Sequence, residues 1–100
     1  MNYDYAYVYI LTNFSKTVLY TGVTTNLYQR ITDHKNEQGS TFTLKYKVKN
    51  LVRLQAFARI KDAIEKEKQI KRWRRSWKEE LINKQNPEWK DLYEEIIPFA

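Results

Sequence analysis

Residues 5–11 read YAYVYIL and residues 17–23 read TVLYTGV. These two stretches decide the fold. The first alternates strictly, sending Ala6, Val8 and Ile10 to one face and Tyr5, Tyr7, Tyr9 and Leu11 to the other. Aromatic and β-branched side chains at period two suit a pleated strand. Residues 12–16, Thr-Asn-Phe-Ser-Lys, form a short connection, so residues 17–23 return beside the first strand as a hairpin. Gly22, near the end of the returning strand, permits a bend or the close approach of another group.

Downstream, the period changes to that of a helix. Leu27, Arg30, Ile31 and His34 fall at i, i+3, i+4 and i+7, with Thr25 or Asn26 able to cap the start. Residues 36–47 read as a loop around Gly39, and residues 50–57 as a third strand. A long helix is predicted over residues 61–75, with Ala63, Ile64, Glu67, Ile70 and Lys71 along one stripe and Trp73 extending it. Ser76-Trp77-Lys78-Glu79 matches a capping box that opens another helix. Asn86-Pro87 reads as an N-cap and first-turn proline, with Trp89, Leu92, Tyr93 and Ile96 forming the inner face of a last helix. The predicted class is α/β in the α+β sense, a small three-stranded antiparallel sheet flanked by about four helices.

The totals agree with one globular domain over residues 1–100. A chain of 100 residues has no room for a second core, and 42% hydrophobic with 30% charged residues is not the composition of disorder. No apolar run approaches the roughly 20 residues of a membrane span, and residues 1–4 lack the start of a secretory signal. Cysteine is absent, which excludes disulfides and thiolate metal sites and suits a reducing cytoplasm. Net charge is +6, with eight basic and three acidic groups in residues 61–78 alone, while residues 79–100 are acidic. Such a field attracts polyanions, nucleic acid first among them.

Polar residues interrupt two apolar stripes: Arg30 and His34 beside Leu27 and Ile31, and Glu67 between Ala63, Ile64 and Ile70. An ion turned towards a core loses hydration unless it is paired or liganded. An Arg30–Glu67 ion pair, or side chains reaching out from the stripe edge, would account for this structurally. Tyrosines placed like those of the first strand are more often sheet-face packing.

Taken together, these residues resemble a known set. Tyr7-Val8-Tyr9 followed by Tyr20-Thr21-Gly22 looks like the paired motif that names the GIY-YIG nuclease superfamily. The run YTGVTTNLYQR over residues 20–30 has that family's spacing from tyrosine to arginine, and His34 stands where many members have His or Tyr. DAIEKEKQIK over residues 62–71 resembles the helix bearing the metal-binding glutamate, here Glu67. WRRSWK at 73–78 and NPEW at 86–89 are similar to short bacterial members, which themselves resemble the nuclease module of the excision-repair incision subunit. The chain departs from the pattern at Tyr7, where the family has glycine, and at Val23, where many repair members have lysine. Neither Asn83 nor Asn86 keeps the spacing of the family's asparagine.

The resemblance implies a metal-dependent endonuclease acting on DNA rather than RNA, with low sequence specificity. Glu67 would hold Mg²⁺ or Mn²⁺, and Arg30 would grip the phosphate. One of Tyr9 and Tyr20 would serve the attacking water and the other the phosphate, with His34 sharing the proton transfer. Lys66, Lys68, Lys71, Arg72, Arg74, Arg75 and Lys78 would contact the nucleic-acid backbone. Trp73 and Trp77 read as core residues rather than base-stacking ones. The rival readings are a non-cleaving nucleic-acid-binding module of the same fold and a purely structural domain. Oligomeric state is left open.

Overall fold

A computed structural model describes residues 5–97; the reading of residues 1–4 lies outside them. Three strands, β1 (Ala6–Thr12), β2 (Leu19–Thr24) and β3 (Asn50–Phe57), form one antiparallel sheet in the order β2-β1-β3. Around it lie α1 (Leu27–Lys35), α2 (Thr41–Tyr46), α3 (Ile60–Arg72), α4 (Arg75–Gln85) and a 3₁₀ turn at Tyr93–Ile96. The α+β class and the hairpin are as the alternation predicts.

The two faces of β1 build two cores. Ala6, Val8 and Ile10 join Val52, Ala63, Ile70 and Ile82 beneath α3 and α4. Tyr9 and Leu11 join Leu27, Ile31, Val48, Leu51 and Leu92 beneath α1. A strand buried on both faces explains why β1 is apolar at nearly every position. A bulge between Ile10 and Leu11 shifts the pairing with β3, from Ile10↔Arg53 to Leu11↔Leu51.

Several local expectations are corrected. Residues 36–47 are not simply a loop: α2 forms there, with the Ser40 side chain accepting from the Thr43 amide at 3.2 Å. Its periodicity is invisible because the side chain it buries is polar Thr43, while Phe42, Leu44 and Tyr46 are exposed. The long helix ends at Arg72, because Trp73 turns extended and packs against the sheet core. The capping box does not form: α4 starts at Arg75, Ser76 lies inside it, and Glu79 pairs with Arg75 at 2.7 Å. Trp77 is not a core residue; it is 47% exposed.

The last helix is also shorter than predicted, reduced to the 3₁₀ turn. Asn86 caps the end of α4 rather than the start of a new helix, and is buried. Its amide donates to Val52 O at 3.1 Å and Lys90 O at 2.7 Å. The tail then runs along β3, where Leu92 N donates to Leu51 O at 2.7 Å and Asp91 accepts from Leu51 N at 3.0 Å. Gln85 both donates to and accepts from the Leu54 backbone at 3.0 Å. Side chains and tail thus cover the open groups of an edge strand. Covering an edge requires an extended segment, which is why Trp89 and Leu92 pack on opposite sheet faces instead of one helix face.

Candidate functional site

Tyr9 stands on the central strand, paired with Gly22 of β2 and Leu54 of β3. Its ring lies across Gly22: a Cβ there would overlap the phenol head and sit 2.9 Å from Cε2. Gly22 does not adopt a positive φ, so the requirement is space rather than backbone freedom. The close approach predicted from the sequence is the seating of Tyr9. Tyr20, two residues earlier on β2, shares that sheet face, and its ring centroid is 6.4 Å from that of Tyr9.

The inner face of α1 brings His34 onto the two tyrosines. His34 is 3% exposed, with Nε2 3.2 Å from the Tyr9 hydroxyl and Nδ1 3.2 Å from Thr43 Oγ1. Its ring meets Tyr20 edge-on at 5.7 Å. Asn26, one of the two predicted caps, accepts from Gln29 N at 3.3 Å and starts α1 in the phase that makes this possible. Arg30, one turn before His34, is exposed rather than turned into the core. A cleft of about 300 Å³ opens here, lined by Tyr20, Arg30, Asp33, His34 and residues 38–40.

Electrostatics separate the two buried groups. Burial pushes the Tyr9 phenol well above its usual range, reinforced by Tyr20 and Glu67 and opposed by Arg30. Burial also lowers His34, with the Arg30 guanidinium adding to the effect and Asp33 opposing it. At neutral pH the pair is therefore a phenol beside a neutral imidazole. Arg30 and Glu67 come from helices that serve different faces of the sheet.

Glu67 does not pair with Arg30. Its partner is Lys71, one turn along α3, at 2.7 Å, and its side chain is 12% exposed. Glu67 does not line the cleft of Tyr20 and Arg30. Among the described residues, no group of three or more His, Cys, Asp or Glu side chains could hold a metal ion. A lone hard carboxylate such as Glu67 would fit Mg²⁺ or Mn²⁺ only with water and substrate oxygens completing the shell.

The basic residues divide. Lys68 and Arg72 border an open groove beside Trp73 and Trp77, and Lys66 and Arg74 lie over those two rings at 5.3 and 5.0 Å. Arg75 is engaged elsewhere, donating to Thr17 O, Lys16 O and Glu79 at 2.7–2.8 Å and tying α4 to the hairpin turn. Lys71 is held by Glu67, and Lys78 is half-buried. Asn83 accepts from the Trp89 indole at 2.6 Å; it and Asn86 serve the tail. Sequence reasoning missed Ser40 and Thr43. The one available signal was Ser40 three residues before Thr43, a capping spacing.

No helix among the described residues is long and apolar enough to cross a membrane. Comparison with known proteins agrees with the geometry. The chain is 40% identical over 83 residues to a UPF0213 protein of Syntrophus aciditrophicus, covering 82% of this chain and 93% of that one. It is 36% identical over 76 residues to a UPF0213 protein of Natronomonas pharaonis, covering 76% and 88%. The solution NMR structure of the UPF0213 protein from Bacillus halodurans matches with a TM-score of 0.57 at 28% identity, covering 94% of this chain and 99% of that one. The family model of the GIY-YIG catalytic domain matches residues 5–86, the span that carries both tyrosines, Arg30, His34 and Glu67. The chain belongs to the GIY-YIG catalytic domain family.

Proposed function

We propose that the chain is a divalent-metal-dependent endonuclease that hydrolyses phosphodiester bonds in nucleic acid, DNA rather than RNA, with low sequence specificity. The observation that supports this reading best is the convergence of Tyr20, Arg30 and His34 on one open cleft, with Tyr9 seated behind them against His34.

Arg30 is exposed at the cleft and offers a planar, permanently charged fork for non-bridging phosphate oxygens, where charge grows in the transition state. Tyr20 meets the cleft and Tyr9 is sealed beneath it, so Tyr20 is the tyrosine that serves the attacking water. Its phenol oxygen orients that water; as the water oxygen bonds to phosphorus and the bond to the leaving oxygen breaks, the water gives up a proton to solvent and the leaving oxygen takes one up. Tyr9, protonated at neutral pH, is a hydrogen-bond partner of His34 rather than a base. Glu67 would hold Mg²⁺ or Mn²⁺ once Lys71 withdraws; such an ion stabilises charge on the phosphate and the leaving oxygen. Lys68, Arg72 and Arg74 supply sequence-independent affinity for the backbone.

The pairing of Glu67 with Lys71 favours a second reading, a binding module that does not cut. Cleavage of labelled DNA and RNA with Mg²⁺ or Mn²⁺, beside Glu67→Ala and Arg30→Ala, separates them. The nuclease reading requires metal-dependent products that both substitutions abolish in folded protein. Mobility shifts without products would support the module instead, and neither shifts nor products would leave a structural domain.

A further inference from the structure

We propose that Thr43 is a positioning residue of the candidate site: its side-chain oxygen fixes His34 as the Nδ1–H tautomer, leaving Nε2 as the acceptor that holds the Tyr9 hydroxyl. Its consequence for catalysis rests on the nuclease reading; the tautomer itself does not.

The assignment follows from where protons can go. The Thr43 hydroxyl donates to Ser40 O at 3.0 Å, and its oxygen also accepts from the Ser40 hydroxyl at 3.3 Å. With its one hydrogen committed, Thr43 Oγ1 meets His34 Nδ1, at 3.2 Å, as an acceptor. Nδ1 therefore carries the imidazole hydrogen and Nε2 presents a lone pair to Tyr9 at 3.2 Å. The opposite tautomer would point Nε2–H at the Tyr9 oxygen and leave the phenol hydrogen without an acceptor in a fully buried setting. Only the Nδ1–H form gives every hydrogen in this chain of groups a partner.

Nor can water replace Thr43. Gly39 packs directly over the Nδ1–Oγ1 contact, where a Cβ would overlap both atoms and lie 2.9 Å from His34 Cε1. Thr43 is itself 4% exposed. The effect reaches the cleft through His34, which lines it and whose ring packs edge-on against Tyr20. Thr43 does not line that cleft, so it acts through His34 and not on substrate.

The chain has one histidine, so long-range ¹H–¹⁵N spectra of its ring are unambiguous. Above the imidazole titration range the wild-type protein should show the Nδ1–H form. Thr43→Val, of the same shape without the hydroxyl, should shift the ring to a mixture or to Nε2–H, and Thr43→Ser should restore it. With cleavable nucleic acid, kcat of Thr43→Val should fall roughly 10- to 100-fold with little change in KM, as for loss of a group that orients a functional histidine. Thr43→Ser should recover most of that rate.

A wild-type Nε2–H tautomer overturns the proposal without any variant needing to fold. So does a Thr43→Val protein with unchanged spectra, or one that cuts at the wild-type rate. If the wild type cuts nothing under any metal condition, the nuclease reading fails and takes the catalytic part of Thr43 with it. The spectra still decide the tautomer in that case, so the two failures are distinguishable.

Discussion

Replacing Gly22 with Ala sets two physical effects against each other and so tests the seating of Tyr9. By backbone preference alone, Ala in a strand interior should be more stable than Gly by roughly 0.5–1 kcal/mol. The geometry says the opposite. The new methyl would overlap the head of a ring that is 0% exposed, bonded to His34 at 3.2 Å and packed beside Tyr20. The ring cannot swing into solvent, so strand and ring must separate, and overpacking of this kind costs about 1–3 kcal/mol. With the propensity gain subtracted, the net loss should be about 1.3 kcal/mol at the middle of those ranges, within limits of roughly 0–2.5, or a fall in Tm of about 5–10 °C for a domain of this size. Urea titration followed by tryptophan fluorescence measures it, with the midpoint lowered at unchanged slope. A Gly22→Ala protein more stable than the wild type would show that Tyr9 does not lie across residue 22.

Other outcomes follow from the same contacts. Burial lowers His34, so the unfolded chain binds its proton first as pH falls below about 6.5; stability should drop on acidification by up to about 1.4 kcal/mol per pH unit and be independent of this group above that range. His34→Gln, followed by urea titration at several pH values, should remove that part of the slope. Asn86→Ala strips the partners from Val52 O, Lys90 O and Lys90 N in a buried corner, and should destabilise by roughly 2–3 kcal/mol while any cleavage by folded protein persists. Lys71→Met removes the partner of a Glu67 side chain that is only 12% exposed, so stability should fall by more than the roughly 0.2–0.5 kcal/mol of a surface i,i+4 pair. Mn²⁺ affinity, read by calorimetry, should increase because the cation competing for Glu67 is gone.

The sheet was legible in the sequence because its signals are local and redundant. Strict alternation in β1, a short connection and a second β-favouring run all point to one hairpin, and β1 pairs with β2 as its neighbour; the register, which sets Gly22 opposite Tyr9, is the structure's addition. The α1 stripe was legible for its phase, which brings Leu27, Ile31 and His34 inward together. What escaped were segments whose conformation is set by distant partners. α2 buries a threonine, against Gly39 and His34, so no hydrophobic period betrays it. The tail follows the open edge of β3, and no local pattern around Asn86-Pro87 encodes that edge. Trp73 and Trp77 are identical by type and four residues apart, yet the kink between α3 and α4 turns one onto the core and leaves the other exposed.

For the candidate site, the sequence supplied the chemical types and their order but not which groups meet solvent. Tyr9 and Tyr20 look equivalent as a motif pair. The sheet distinguishes them, because Tyr9 sits on the central strand under α1 whereas Tyr20 sits on the edge strand at the cleft. Likewise the polar residues in the α1 stripe have different fates, His34 buried and Arg30 exposed, because Arg30 falls at the margin of the stripe and His34 within it. The partner of Glu67, Lys71 instead of Arg30, is a matter of helix neighbours that spacing alone allowed.

The central claim is that groups from the hairpin, α1 and α3 serve one metal-dependent reaction at one place. Paramagnetic broadening by Mn²⁺, mapped over the amide resonances in the presence of a short oligonucleotide with non-hydrolysable linkages, tests this most directly. The account requires broadening centred on Glu67 and extending to residues 9, 20–22 and 30–34, lost in Glu67→Ala. Broadening confined to the acidic tail around Glu94 and Glu95, or a pattern unchanged by Glu67→Ala, would contradict it.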